Sequence, residues 1–139
     1  MEKQFLTYEL AVELKKLGFG ESCFGYYTVD EVLNFDSLKM FKGSDLTTLT
    51  SQSDWTTLAP LWQQAFDWFR YVMLLDNFIT PYWFIDGEYK AKKYIYSIEP
   101  SNRYDEYFDC YSDQYDTYEE ARLECLKKLI KIAKEQNVK

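Results

Sequence analysis

The stretch Pro60-Leu61-Trp62-Gln63-Gln64-Ala65-Phe66-Asp67-Trp68-Phe69-Arg70-Tyr71 limits the fold more than any other part of the chain. Proline suits the first helical position, where its missing N–H is not needed. Leu61, Ala65, Trp68 and Val72 recur at the helical interval, and Trp62, Phe66, Phe69 and Met73 form a second stripe beside them. Gln63, Gln64, Asp67 and Arg70 leave only a narrow polar face. A helix apolar over most of its circumference is buried, usually against a sheet. The rest of the chain must therefore supply the strands and helices that cover it.

Those elements are readable in order. Thr7 is the predicted cap of a first helix over 8–17, with Leu10, Ala11, Leu14 and Leu17 inward and Gly18 as its stop. Residues 23–28 read as a strand and 29–36 as a weak return strand, while the Ser/Thr-rich 43–57 reads as a loop. Asp86-Gly87, between two aromatic runs, predicts a type I′ hairpin over 79–98, with Ile85 opposite Glu88 and Phe84 opposite Tyr89. One face of that hairpin holds Tyr82, Phe84, Tyr89, Ala91 and Ile95, and the other Trp83, Ile85, Lys90 and Lys92. The first is assigned to the core, because the second would bury two lysines. Pro81 marks an edge strand. Residues 105–112 read as a further strand with Phe108 and Cys110 inward. Thr117-Tyr118-Glu119-Glu120 is a capping box that opens a last helix over 118–135. The expected fold is α+β: one domain over 1–139, a mostly antiparallel sheet of three to five strands, and three helices packed largely on one face.

Composition narrows the function. The chain has 139 residues, enough for one sizeable core. The net charge is −7, divided as −4 over residues 1–59, zero over 60–103 and −3 over 104–139. An acidic chain lacks the electrostatic footprint for nucleic acid or anionic lipid and leaves room for a basic partner. There is no His, which removes the commonest general base and the commonest zinc ligand. Three Cys without C-x-x-C spacing read as buried apolar residues in a reducing compartment. Met1-Glu2-Lys3-Gln4 leads straight into an amphipathic segment, so no secretory leader is expected, and no apolar run approaches membrane-spanning length. The expectation is a cytoplasmic protein without a cofactor or metal.

Four blocks carry a resemblance. They are A-x-x-L-K-x-L-G-F at Ala11–Phe19, C-F-x-Y-Y at Cys23–Tyr27, A-P-x-x-Q-Q-x-x-x-W-F-R at Ala59–Arg70, and T-Y-E-E-A-x-x-x-C-L-K-K-L-I at Thr117–Ile130. In this order they resemble small proteins encoded by phages, prophages and mobile elements of gut Bacteroidales, for which no activity is established. After Arg70 the chain departs, with Tyr71-Val72-Met73-Leu74-Leu75 where that group has a charged run. The resemblance implies no catalytic residues. Read physically, its motifs are helix caps and core faces.

The feature beyond core building is the acidic, Tyr-rich stretch from Tyr104 to Glu124. Alternation in a strand over 105–115 would put Tyr107, Asp109, Tyr111, Asp113 and Tyr115 on one face, tyrosines and carboxylates together, as a candidate surface for a basic partner. A calcium loop would need D-x-D-x-D-G spacing, which is absent. Asp109 and Asp113 as a weak divalent site, a carboxylate pair for glycosidic chemistry and a Cys nucleophile without His all lack a supporting motif. The leading expectation is a small accessory interaction protein of a mobile element that modulates a basic host protein. The alternative is an assembly protein that homo-oligomerises through its aromatic surface. An enzyme with an acidic site ranks third.

Overall fold

The computed structural model describes residues 2–36, 38–42, 56–100 and 110–137. The chain forms two compact units, Met1–Ala65 and Phe66–Lys139. The fold is α+β, with three α-helices and antiparallel strands in two separate three-stranded sheets, one per unit, where the sequence suggests one.

In the first unit a short 3-10 turn (Glu2–Gln4) leads to helix α1 (Tyr8–Lys16) and strands β1 (Gly25–Tyr27), β2 (Leu33–Phe35) and β3 (Thr57–Ala59). The sheet order is β2-β1-β3, antiparallel throughout, and α1 packs against β3. Leu10, Ala11 and Leu14 are buried, as the helical spacing requires. Thr7 takes the extended N-cap backbone, but its hydroxyl makes no capping bond. At the other end Gly18, at φ 101°, closes a Schellman turn: its N–H donates to the Lys15 carbonyl (3.0 Å) and that of buried Phe19 to the Leu14 carbonyl (3.0 Å). Gly25 lies where β1, β2 and Phe5 crowd together. A Cβ there would stand 3.0 Å from both the Asn34 carbonyl and the Phe5 ring, so a side chain would force the strands apart.

Helix α2 (Trp62–Tyr71) starts two residues later than the sequence suggests. Pro60 is buried and still extended. Its carbonyl accepts the Leu6 N–H at 2.9 Å, and Leu61 bridges Phe5, so strand pairing holds these residues out of the helix. The predicted stripes hold within the helix: Trp62, Ala65, Phe66, Trp68 and Phe69 are all buried, whereas Val72, beyond its end, is exposed.

The second unit carries strands β4 (Leu75–Asp86), β5 (Tyr89–Pro100) and β6 (Cys110–Tyr111) and helix α3 (Tyr118–Asn137), which packs across β4 and β5. The sheet order is β4-β5-β6, which places Pro81 on an edge strand as expected. Two hairpin expectations need correcting. Asp86 pairs with Tyr89 and Ile85 with Lys90, so the two turn residues are Gly87 and Glu88. Gly87 has φ 61° and Glu88 has no positive φ. A positive φ at the first central position alone is the pattern of a type II′ turn, not I′. This moves the pairing by two residues and leaves each side chain on its predicted face.

The core face is the other correction. Leu75, Asn77, Tyr96 and Ile98 are buried, and they alternate in phase with Trp83, Ile85, Lys90 and Lys92. The lysine-bearing face is thus the core face at the base of the hairpin. No lysine is buried by this, because Lys90 and Lys92 lie near the tip, where both faces are open. Tyr89 and Phe84 of the face assigned to the core are exposed.

Helix α3 follows its sequence pattern. Ala121, Cys125, Leu129 and Ile132 are buried, as are Leu126, Ile130 and Ala133. The Glu120 amide donates to the Thr117 hydroxyl at 3.1 Å, the first half of the capping box. Among the described residues, no helix is long and apolar enough to cross a membrane.

Candidate functional site

Of the tyrosine–carboxylate set, Tyr107 and Asp109 lie outside the described residues, as does the Phe108 placed inward by the sequence. Tyr111 pairs through its backbone with Ser97, and Asp113 is exposed. Tyr115 bridges Tyr94, with reciprocal N–H···O bonds of 2.8 Å. From Tyr111 to Tyr115 the chain advances four residues while β5 advances three, from Tyr94 to Ser97. One extra residue is therefore accommodated as a bulge, and the two-residue alternation changes phase there. Ser112 fills the gap: its amide donates to the Tyr96 carbonyl (3.0 Å) and its hydroxyl accepts the Tyr96 N–H (2.8 Å). Tyr115 is half-buried and stacked on Tyr96, with centroids 6.2 Å apart. Burial, and then the charges of Glu124 and Asp113, raise its phenol pKa above the ordinary value.

The same segment braces the hairpin. Lys93 pairs with Asp116, whose hydrogen bond raises the lysine pKa, and Tyr94 meets Tyr118 edge to face at 6.2 Å. Lys92 lies over Tyr94 and Arg122 over Tyr118. Beyond Tyr94 the hairpin continues as an arm with apolar side chains open on both faces. Trp83 is 63% exposed and Ile85 62% on one face, with Phe84 and Tyr89 exposed on the other. The sequence reading turns the whole Trp83 face outward because of Lys90 and Lys92, which holds only on this arm; nearer the base the same face is the core face. It assigns the opposite face to the core, yet Phe84 and Tyr89 there are exposed, because the buried side chains of the hairpin and the Tyr94–Tyr118 contact with α3 lie on the Trp83 side.

A second open surface lies in the first unit. Thr28 to Val32 forms a tight turn, in which the Thr28 amide donates to the Val32 carbonyl (3.0 Å) and the Glu31 amide to the Thr28 carbonyl (2.9 Å). Glu31 takes φ 63°, a left-handed conformation rare outside glycine, asparagine and aspartate. Val29, Val32, Phe35, Leu38 and Met40 are exposed, Leu38 at 94%, with Asp30, Glu31 and Asp36 among them. Asp36 accepts the Leu38 amide at 2.9 Å. The sequence reading of 29–36 as a weak return strand finds β2 but gives no sign that its side chains stand open.

Cys23 is fully buried, its thiol donates to the Glu21 carbonyl (3.3 Å), and burial together with the Glu21 charge pushes its pKa up to about 12. Such a thiol is inert at neutral pH, because the thiolate is the nucleophile. Cys23 should resist iodoacetamide at pH 8 in the native protein and react once urea unfolds the chain, as peptide-resolved mass spectrometry would show. Rapid native labelling would contradict that environment. Among the described residues, no group of three or more Cys, Asp or Glu is arranged to hold a metal ion. No protein-family model, curated protein or solved structure matches the chain.

Proposed function

We propose that this protein is a small, non-catalytic interaction protein of the cytoplasm, of the accessory kind carried by phages and mobile elements, and that it modulates a basic protein partner. The observation that carries this reading is the surface over residues 29–40. Five large apolar side chains stand open there, with three carboxylates and one lysine, Lys39, among them, so the stretch remains acidic on balance. Exposed apolar clusters with a polar surround mark binding surfaces. Carboxylates at the rim steer a cationic partner and exclude an anionic one. The net charge of −7 acts in the same direction over longer range.

The test is affinity purification from a Bacteroidales lysate with two baits, the native chain and an Asp30→Lys, Asp36→Lys, Leu38→Ser variant. All three side chains are exposed, so the variant should keep its far-UV circular dichroism. The native bait should retain a basic protein in a salt-sensitive manner, and the variant should lose it. Equal retention by both baits, or a retained set dominated by acidic proteins, would overturn the reading.

A further inference from the structure

We infer that β4 is a self-pairing edge: two copies of this chain join their hairpin arms through an antiparallel β4–β4 contact centred on Phe84. The backbone groups of β4 alternate between facing β5 and facing away from it. Tyr94 gives both its N–H and its carbonyl to Tyr115, on the β6 side. Its partner on β4, Pro81, is therefore a non-hydrogen-bonded position of the β4–β5 ladder, and its nitrogen and carbonyl face away from β5. Alternation gives the same outward direction to Asn77, Ile79, Trp83 and Ile85. Asn77 agrees, since its outward carbonyl accepts an Arg70 guanidinium N–H at 2.9 Å.

Edges of this kind are usually guarded by lysine, proline, bulges or cover. Here the guards stop halfway. Arg70 caps Asn77, and Pro81 removes an outward donor. From Tyr82 to Asp86 no guard remains: β4 contains no Lys or Arg, its pairing with β5 runs without a bulge, and among the described residues no strand pairs with its outer edge. The hairpin lysines 90, 92 and 93 all lie on β5, away from the edge.

A second copy fits this opening in a register centred on Phe84. With Phe84 opposite Phe84 of the partner copy, Trp83 lies opposite Ile85 and Tyr82 opposite Asp86. Trp83 and Ile85 are both outward-facing positions, so they exchange N–H···O bonds in pairs. Trp–Ile contacts then line one face and a Phe–Phe contact the other, and no like charges meet. Pro81 would fall opposite Gly87, where the strand has already ended, so its missing donor is not called on. Moving the centre to Trp83 would set Pro81 opposite Ile85 and lose a bond at each end. The contact is isologous, as a two-fold dimer requires. It is smaller than a standard interface, so the dimer should be weak and its formation concentration-dependent.

Phe84 is the position that meets itself, which makes the test specific. Sedimentation velocity from about 5 to 500 µM, the range in which a weak association of micromolar to sub-millimolar affinity shows, should reveal a concentration-dependent dimer for the native chain. Phe84→Lys and Phe84→Asp should each weaken it by about tenfold or more, because like charges then meet at the two-fold axis. Both should keep the native far-UV spectrum, since Phe84 lies on the open arm. Mixed in equal amounts, they should recover a heterodimer of opposite charges. A native chain that stays monomeric at 500 µM, a dimer that survives Phe84→Lys, or a mixture that does not recover would each overturn the inference. The outcome is independent of the basic-partner reading, which uses residues 29–40 and is unaffected by Phe84.

Discussion

Replacing Trp68 by alanine should cost about 3–5 kcal/mol of unfolding free energy, the range for truncating a large aromatic residue in a packed core. Trp68 is 4% exposed, in mid-helix, and its ring meets Phe69 edge to face at 5.1 Å. The helical stripe that contains it supplies its own control. Val72 lies one turn further on, but beyond the end of α2, and is 54% exposed. Val72→Ala should therefore change stability by less than about 0.5 kcal/mol. Urea unfolding of the two variants under identical conditions measures both, and comparable midpoints would show that the burial of Trp68 contributes little.

The contrast between Trp68 and Val72 also shows what the sequence discloses. Helical periodicity finds which side chains share a face, because that follows from backbone geometry alone. For Ala121, Cys125, Leu129 and Ile132 the shared face and the buried face coincide, and the reading succeeds. Where the decision depends on a neighbour, it does not. Pro60 has the residue type of a helix start, yet the bond from Leu6 holds it extended. Asp86-Gly87 suits a type I′ turn, yet Asp86 pairs with Tyr89. The two lysines of the hairpin argue locally against a core face, yet α3 covers that face only near its base. Of the open surfaces, the sequence supplies the net acidity and, on the hairpin arm alone, the exposure of Trp83 and Ile85. The bulge at Ser112 that turns Tyr115 inward arises from pairing with β5, to which single-strand alternation is blind. The open edge of β4 is visible only once the ladder shows which amides point outward.

Asn77 is the other position where a large effect is expected, and it has no apolar signature at all. It stands on the core face of β4, 4% exposed, beside Leu75. Its side-chain amide donates to the carbonyls of Phe66 (3.2 Å) and Leu75 (3.1 Å), and its oxygen accepts from Arg70 (3.3 Å). Arg70 in turn holds Asp67 at 2.9 Å and the Asn77 main-chain carbonyl at 2.9 Å. One asparagine thus ties the last turns of α2 to the start of β4. Asn77→Ala removes two donors and an acceptor in a site that little water reaches, and leaves a small void. The expected loss is about 2–4 kcal/mol, from the unsatisfied groups and the missing contacts together. Arg70→Ala, at a half-buried site, should cost less, about 1–2 kcal/mol. Because the two residues share one network, their effects should not add: the double variant should be more stable than the sum of the single losses implies, by about 0.5–2 kcal/mol. A double-mutant cycle in urea reads this coupling directly. Strict additivity would mean that Arg70 and Asn77 stabilise the junction separately, and a loss under about 1 kcal/mol for Asn77→Ala would mean that water replaces the amide.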